Sequence, residues 1–262
     1  MKKFITENFR FTITVIDHFK DGKRLHCRNG HEIGDTYECE YGCPMPTNEC
    51  GGFCSKTVMN LYRLKEVVYA GGDLRLLGFP NNCDIEFSCP DGAVWFRMQI
   101  KDLAEIRPLT GVDLPQYAEV IRRSFATVAA DFGWTKENCP GHTSFKTDDQ
   151  LKSEIKGGYN AFGFFVGDTL FGFVSLTDKG DGVFKINHLA ILPEWRHYGY
   201  GKRLIDFCKE KVKDFSGYKI TIGFVEEHTV LKNWYLANGF VHTGIKKLEL
   251  LPFTAGYMEC VL

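Results

Sequence analysis

The sequence predicts an α/β (α+β) chain in two parts, a small N-terminal α+β domain over 1–100 and a larger α/β domain over 103–262. Three observations point there. A length of 262 residues suits one large or two small domains. Seven of the ten cysteines fall before residue 90, so the two halves differ in composition. Strand-like alternation is interleaved with helical spacing along the whole second half. Apolar residues at 44% and charged residues at 25% are ordinary for a folded chain with real cores. The net charge of −1 gives no global attraction to nucleic acid or anionic membrane, and neither partner is expected. No apolar run approaches the roughly 20 residues that span a bilayer. The start MKKFITENFRF has no apolar signal region, so a cytoplasmic location is expected. Ten cysteines in that compartment are expected as reduced thiols, metal ligands or redox groups.

In the first part, FRFTITVI (9–16) alternates and reads as a strand. Residues 26–54, rich in Cys, Gly and Pro, read as loop. SKTVMNLYRLKEVVY (55–69) places Val58, Leu61, Leu64 and Val68 three or four apart and reads as a helix, with Ser55 as its N-cap and Gly71 as its terminator. Residues 84–88 and 93–100 read as strands separated by a Pro-Asp-Gly turn.

In the second part, IRPLTGVDLPQYAEVIRRSFATVAADF reads as a short strand, a helix capped by Asp113 and a loop. NAFGFFVGDTLFGFVSL reads as two strands turning at Gly167-Asp168. A strand follows at 183–192. The helix in GKRLIDFCKEKVKDF carries Leu204, Ile205, Cys208 and Val212 on one face. YKITIGFV (218–225) is a strand, HTVLKNWYLAN a short helix closed by Gly239, and two more strands end the chain.

The segment EWRHYGYGKR (194–203) lies between the 183–192 strand and the next helix. A glycine-containing turn into a helix start offers free N–H groups and the positive end of the helix dipole to an anion. Gly199 and Gly201 allow close backbone approach, and Arg196, Lys202 and Arg203 add charge. The pattern reads as a pyrophosphate cradle. It is not a Walker loop, because Arg196 and Arg203 stand where Gly and Ser or Thr are needed. It is not the dinucleotide fingerprint either, because Leu204 replaces the third glycine.

What remains, Arg-x-x-Gly-x-Gly after a strand and before a helix, resembles the acyl-CoA loop of the GNAT N-acetyltransferase superfamily. HLAILPEWR before it, NWYLANGF after it and IRPLTGVDLPQYAEVIRRSF at the start are similar to that family's segments in the same order, so the resemblance covers about 103–262. It implies a GNAT fold, with a mixed, mostly antiparallel splayed sheet flanked by helices. It also implies acetyl-CoA as co-substrate without a metal, and a small-molecule or peptide amine as acceptor. A homodimer is one possible assembly. The cofactor contacts it implies are Leu189, Ala190 and Ile191 on the strand, residues 196–203 (Arg196, His197, Tyr198, Gly199, Tyr200, Gly201, Lys202, Arg203) in the loop, and His228, where many members carry asparagine. The Ile191 amide is the implied oxyanion donor. Tyr235 matches the tyrosine that acts near the CoA sulfur as general acid, its alternative being a packing role.

The base stays open. Asn187 and His188 stand where many members have a glutamate; asparagine takes no proton, whereas histidine can act as base or serve structure. Glu226 and Glu227 are further candidates. Asp131, Trp134 and His142, in the loop after the first helix of this part, are candidate acceptor contacts.

In the first part, Cys39, Cys43, Cys50 and Cys54 form a C-x3-C-x6-C-x3-C run, with His26, Cys27 and His31 before it. Four thiolates suit zinc, but the central gap is short, and scattered reduced thiols are expected. Cys27-Arg28-Asn29-Gly30-His31, Gly34-Asp35, Gly52-Phe53-Cys54, Gly71-Gly72 and Cys89-Pro90-Asp91-Gly92 resemble a small uncharacterised bacterial domain family, which implies architecture and no chemistry. Besides the transferase, two other readings fit: a GNAT fold that senses acyl-CoA without turnover, and a metal- or redox-responsive front module.

Overall fold

A computed structural model describes residues 9–20, 23–24, 27, 29–39, 47–48, 51–109, 114–247 and 251–262. The chain divides into two compact units, Met1–Ala104 and Glu105–Leu262.

The first unit is a four-stranded antiparallel sheet with a helix on it. Its strands are β1 (Phe9–Asp17), β2 (Thr36–Cys39), β3 (Asp84–Ser88) and β4 (Trp95–Asp102), in the order β2-β1-β4-β3. Alternation in β1 buries Phe11, Ile13 and Val15 and leaves Thr12 and Thr14 to bond across to Glu38 and Thr36. Helix α1 (Ser55–Tyr69) buries Val58, Leu61, Leu64 and Val68, the stripe its spacing predicts. Each such side chain contributes on the order of 1.5–3 kcal/mol on burial. The N-cap is Cys54 rather than Ser55, which lies one residue inside; Ala70 is the C-cap and Gly71 follows with φ 70°. The same helix also buries Lys65, whose Nζ lies 3.8 Å from Cys39 Sγ and 5.2 Å from the centre of the Phe11 ring. The stretch read as loop contains β2 and a two-residue ladder, Thr47–Asn48 with Gly51–Gly52.

The second unit is a seven-stranded mixed sheet. Its strands are β5 (Ala104–Pro108), β6 (Asn160–Val166), β7 (Thr169–Asp178), β8 (Val183–Ile191), β9 (Lys219–Val225), β10 (Val241–Lys247) and β11 (Thr254–Val261), in the order β10-β11-β9-β8-β7-β6-β5. β8 and β9 run parallel, and the pairs β6–β7, β7–β8, β9–β11 and β10–β11 run antiparallel. Helices α2 (Leu114–Asp131), α3 (Asp148–Lys156), α4 (Tyr200–Asp214) and α5 (Thr229–Ala237) accompany it. Phe162 and Phe164 of β6 meet Phe207 and Tyr200 of α4, whereas Phe165 meets Tyr117 of α2. Neighbours on a strand point to opposite faces, so α2 and α4 cover opposite sides of the sheet. On α4, Leu204, Ile205, Cys208 and Val212 are all fully buried.

Helix α3 was not expected from apolar spacing, since only Leu151 of it is buried. A capping box starts it: Thr147 Oγ1 accepts from the Gln150 N–H, and the Gln150 side chain accepts from the Thr147 N–H. The expected cap Asp113 lies outside the described residues. Among the described residues, no helix is long and apolar enough to cross a membrane.

Candidate functional site: a splayed strand edge and the turn beyond it

Strands β8 and β9 pair only from Val183–Ile186 against Lys219–Ile222. Beyond that point β9 continues to Val225 against β11 alone, and β8 continues to Ile191 against β7 alone. A bulge marks the parting: Ser175 of β7 opposes Asn187 and Phe173 opposes Ala190, so two residues of β8 face one of β7. One of the two is His188, with φ at 48°. The Leu192 N–H donates to Phe171 O of β7 at 2.9 Å. Successive amides alternate sides, so the Ile191 N–H, and by parity that of Leu189, points into the gap that β9 has left. Ala190 is buried and paired with Phe173.

The gap leads to the 194–203 turn. His197 and Gly199 both have left-handed backbone, φ 69° and 80°. Among the described residues, no acceptor takes the N–H of His197, Tyr198, Gly199, Gly201 or Lys202. These amides and the start of a 15-residue helix form a concave cluster of donors suited to an anion. The two glycines serve differently. Gly199 supplies the positive φ and has open space where a Cβ would be. Gly201 supplies clearance, since a Cβ there would sit 3.1 Å from Trp234 Cζ2.

The charged and aromatic side chains of the turn are mostly structural. The Arg196 guanidinium donates to Ile191 O at 3.1 Å, Thr127 Oγ1 at 3.0 Å and Ser124 O at 2.7 Å, which ties the turn to α2 and to the end of β8. Trp195 stacks on Phe171 with ring centres 4.4 Å apart, and Tyr200 packs on Phe171 and Phe164. Arg203 lies over the Phe164 ring, and Lys202 pairs with Asp206. Tyr198 is exposed.

Tyr235 of α5 is 5% exposed, among Phe224, Trp234 and Phe240. Burial pushes its phenol pKa well up, and the Cys208 thiol adds to the effect. The group is a neutral O–H donor, with no hydrogen-bond partner among the described residues. His228 N-caps α5, its Nδ1 accepting the Leu231 N–H at 3.2 Å. An asparagine carbonyl at that position would make the same cap.

Of the open base candidates, Asn187 donates to Thr177 Oγ1 at 2.8 Å. Glu226 is held by Lys232 and by His242 Nε2 at 3.0 Å, and the hydrogen bond from Lys232 keeps its pKa low. Glu227 accepts the Thr254 N–H at 2.9 Å. His188 is different. Its Nε2 meets Glu154 Oε2 of α3 at 3.0 Å, Glu154 Oε1 meets Lys146 Nζ at 2.6 Å, and all three are largely buried. Glu154 and Lys146 were not singled out by sequence reading. The Thr147–Gln150 capping signal would have placed Glu154 on a helix, though not opposite a residue 34 positions later.

Trp134 and His142 are buried rather than presented to a ligand. Trp134 stacks on Phe132 at 4.9 Å and on Phe253 at 4.8 Å, and the His142 ring centre lies 5.0 Å from it. Burial lowers the His142 pKa. Asp131 is exposed at the end of α2. In the first unit, Cys43, Cys50, His26 and Arg28 lie outside the described residues. Among the described residues, no three His, Cys, Asp or Glu side chains are placed to hold a metal. His31 is a packed histidine: Nε2 accepts the Cys54 N–H at 3.2 Å and Nδ1 meets Tyr37 Oη at 2.6 Å.

Residues 160–242, from β6 into β10, match the family described as the acetyltransferase (GNAT) domain. This match, which lies within the second unit, is to an acetyltransferase domain of the GNAT class. Among solved structures, the PaiA N-acetyltransferase of Thermoplasma acidophilum in complex with coenzyme A aligns at TM-score 0.52 and 23% identity, over 61% of this chain and 99% of that one. The ribosomal-protein-S18-alanine N-acetyltransferase of Escherichia coli aligns at 0.49 and 14%, over 60% and 93%. The spermidine N-acetyltransferase of Vibrio cholerae in complex with CoA and spermine aligns at 0.48 and 15%, over 61% and 95%. At 23% identity the first of these is a likeness of fold. No curated protein matches the chain.

Proposed function

We propose that the chain is an acetyl-CoA-dependent N-acetyltransferase acting on an amine of a small molecule or peptide, with residues 1–100 as an accessory domain, in the cytoplasm. The observation that carries the reading is the parted edge of β8, which ends in a turn of unpartnered amides. A pantetheine arm is a chain of amides that needs a strand-like partner, and a diphosphate needs clustered donors; the two features lie in that order along one path. Acetyl-CoA would supply the activated acyl thioester.

The chain's own residues have five tasks. The 197–202 amides hold the diphosphate, and the Leu189 and Ile191 edge aligns the arm. The Ile191 N–H, aimed into the gap, is placed to donate to an acyl oxygen gaining negative charge. Tyr235, kept protonated by burial, donates its phenolic proton to the leaving sulfur and is restored by the proton that the attacking nitrogen sheds as the amide forms. His188 takes the proton of the acceptor's ammonium, since of the open candidates it alone has a ring nitrogen without a partner among the described residues.

Calorimetric titration with acetyl-CoA, followed by thiol release on presentation of amines, tests the reading. Saturable binding with amine-dependent thiol release is expected. Binding without turnover against any amine would favour a sensing protein of the same fold. No saturable binding would end both.

A further inference from the structure

His188 does not stand alone. It is held at a left-handed φ of 48° in the β8 bulge, where an extended residue would send its side chain elsewhere. The carboxylate facing it is ionised. Burial alone would raise the Glu154 pKa, but the hydrogen bonds from His188 and Lys146 outweigh it and bring it below the ordinary value. An ionised carboxylate only accepts, so the proton between the two must sit on His188 Nε2. That leaves Nδ1 as the nitrogen with a lone pair, and it has no partner among the described residues. Lys146 pairs with the other oxygen of Glu154 and divides that negative charge between itself and the imidazole. Among other charged groups, Arg122 of α2 is engaged by Glu119, Asp148 and the Lys146 carbonyl, and Lys185 lies three residues earlier on β8.

We propose that Glu154 and Lys146 are positioning residues with opposed effects: Glu154 fixes the Nδ1 lone pair of His188 for proton abstraction and faces the imidazolium that results, and Lys146 offsets part of the Glu154 charge. This rests on the reading of His188 as base. The acceptor's ammonium gives one proton to Nδ1 and becomes the free amine; His188 becomes an imidazolium stabilised by Glu154, and later returns that proton to water. No oxidant or additional group is required.

The test is two variants with opposite expected signs. In Glu154→Gln the carboxylate charge is lost, and the acid limb of the kcat/KM–pH profile moves to lower pH by about one unit. In Lys146→Met the ammonium is lost, and the limb moves to higher pH. Acetyl-CoA affinity by calorimetry stays within about twofold in both, because neither residue lies on the path assigned to the cofactor. Nitrogen-15 NMR of the His188 imidazole reads the same shifts without turnover, and reports Nε2–H as the neutral tautomer. Limbs and NMR midpoints that stay fixed, or that move the same way in both variants, overturn the proposal, as does an Nδ1–H tautomer. Should the wild type release no thiol with any amine, the transferase reading falls, and the NMR titration still decides whether the pair acts on His188. An acid limb that survives in His188→Asn places the base elsewhere and overturns this proposal while leaving the transferase reading standing.

Discussion

Replacing Tyr235 with phenylalanine is expected to cut activity sharply while leaving stability nearly unchanged. The phenol oxygen sits in a 5% exposed side chain with no hydrogen-bond partner among the described residues. That oxygen is not among the fully buried polar atoms left without a partner, so neither a bond within the fold nor a desolvation penalty depends on it. Its removal keeps the ring and its contacts with Phe224, Trp234 and Phe240. The unliganded variant should therefore stay within about 1 kcal/mol of the wild type. Loss of a positioned general acid lowers turnover by roughly 10²–10⁴-fold. Denaturant unfolding of the free protein and a thiol-release assay with saturating amine measure the two quantities. A variant that loses 2 kcal/mol or more of stability while turning over normally would show a structural tyrosine bonded within the fold, and the acid assignment would be wrong.

Gly199→Ala forces a side chain onto φ 80°, costing about 1–2 kcal/mol in a backbone state that L residues disfavour. Gly201→Val drives carbon into the Trp234 indole. Either change should weaken acetyl-CoA binding about tenfold or more in calorimetry, and their combination should weaken it further. In the first unit, burial foremost lowers the His31 pKa; Asp35 opposes it less strongly, and His18 adds a still smaller lowering. The unfolded chain then binds this proton more readily, with a pKa near about 6.5. Stability is full above that value and falls as pH drops through it, by up to about 1.4 kcal/mol per unit until the folded pKa is reached. Urea unfolding at pH 7.5 and 5.5 should show this loss in wild type and a smaller loss in His31→Gln; equal slopes would refute it.

The parts of the fold legible in the sequence were those written in local periodicity. The stripe of α4, the alternation of β1 and the strand–turn–helix around residue 199 all depend on spacing within one element. Three things were not legible. Helix α3 buries one apolar residue, so its signal lies in the Thr147–Gln150 cap and not in a stripe. Trp134 and His142 sit in an irregular segment, whose exposure no periodicity reports; the structure packs them against Phe132 and Phe253. The Glu154–His188 pair is a tertiary fact, made by a bulge and a helix 34 residues apart in sequence. The roles of the charges were also hidden. Arg196, Lys202 and Arg203 look alike as a basic cluster, yet the first reaches three acceptors, the second an aspartate and the third an aromatic face.

That difference gives a prediction separating charge from scaffold. If the turn held its anion mainly through cationic side chains, Lys202→Met would weaken binding more than Arg196→Lys, which keeps its charge. The geometry demands the reverse order. The half-buried Arg196 guanidinium satisfies two carbonyls, Ile191 O and Ser124 O, and one hydroxyl at once, a span that a single ammonium cannot cover. Arg196→Lys breaks at least one of these hydrogen bonds, at about 1 kcal/mol, and loosens the tie between the turn and α2. Lys202 is exposed, and its pair with Asp206 is worth at most about 1 kcal/mol. Arg196→Lys should therefore lower both the unfolding free energy and the acetyl-CoA affinity, the latter by about tenfold, while Lys202→Met changes affinity by less than about threefold. The opposite order in calorimetry would mean that side-chain charge, not the shape of the backbone, grips the ligand.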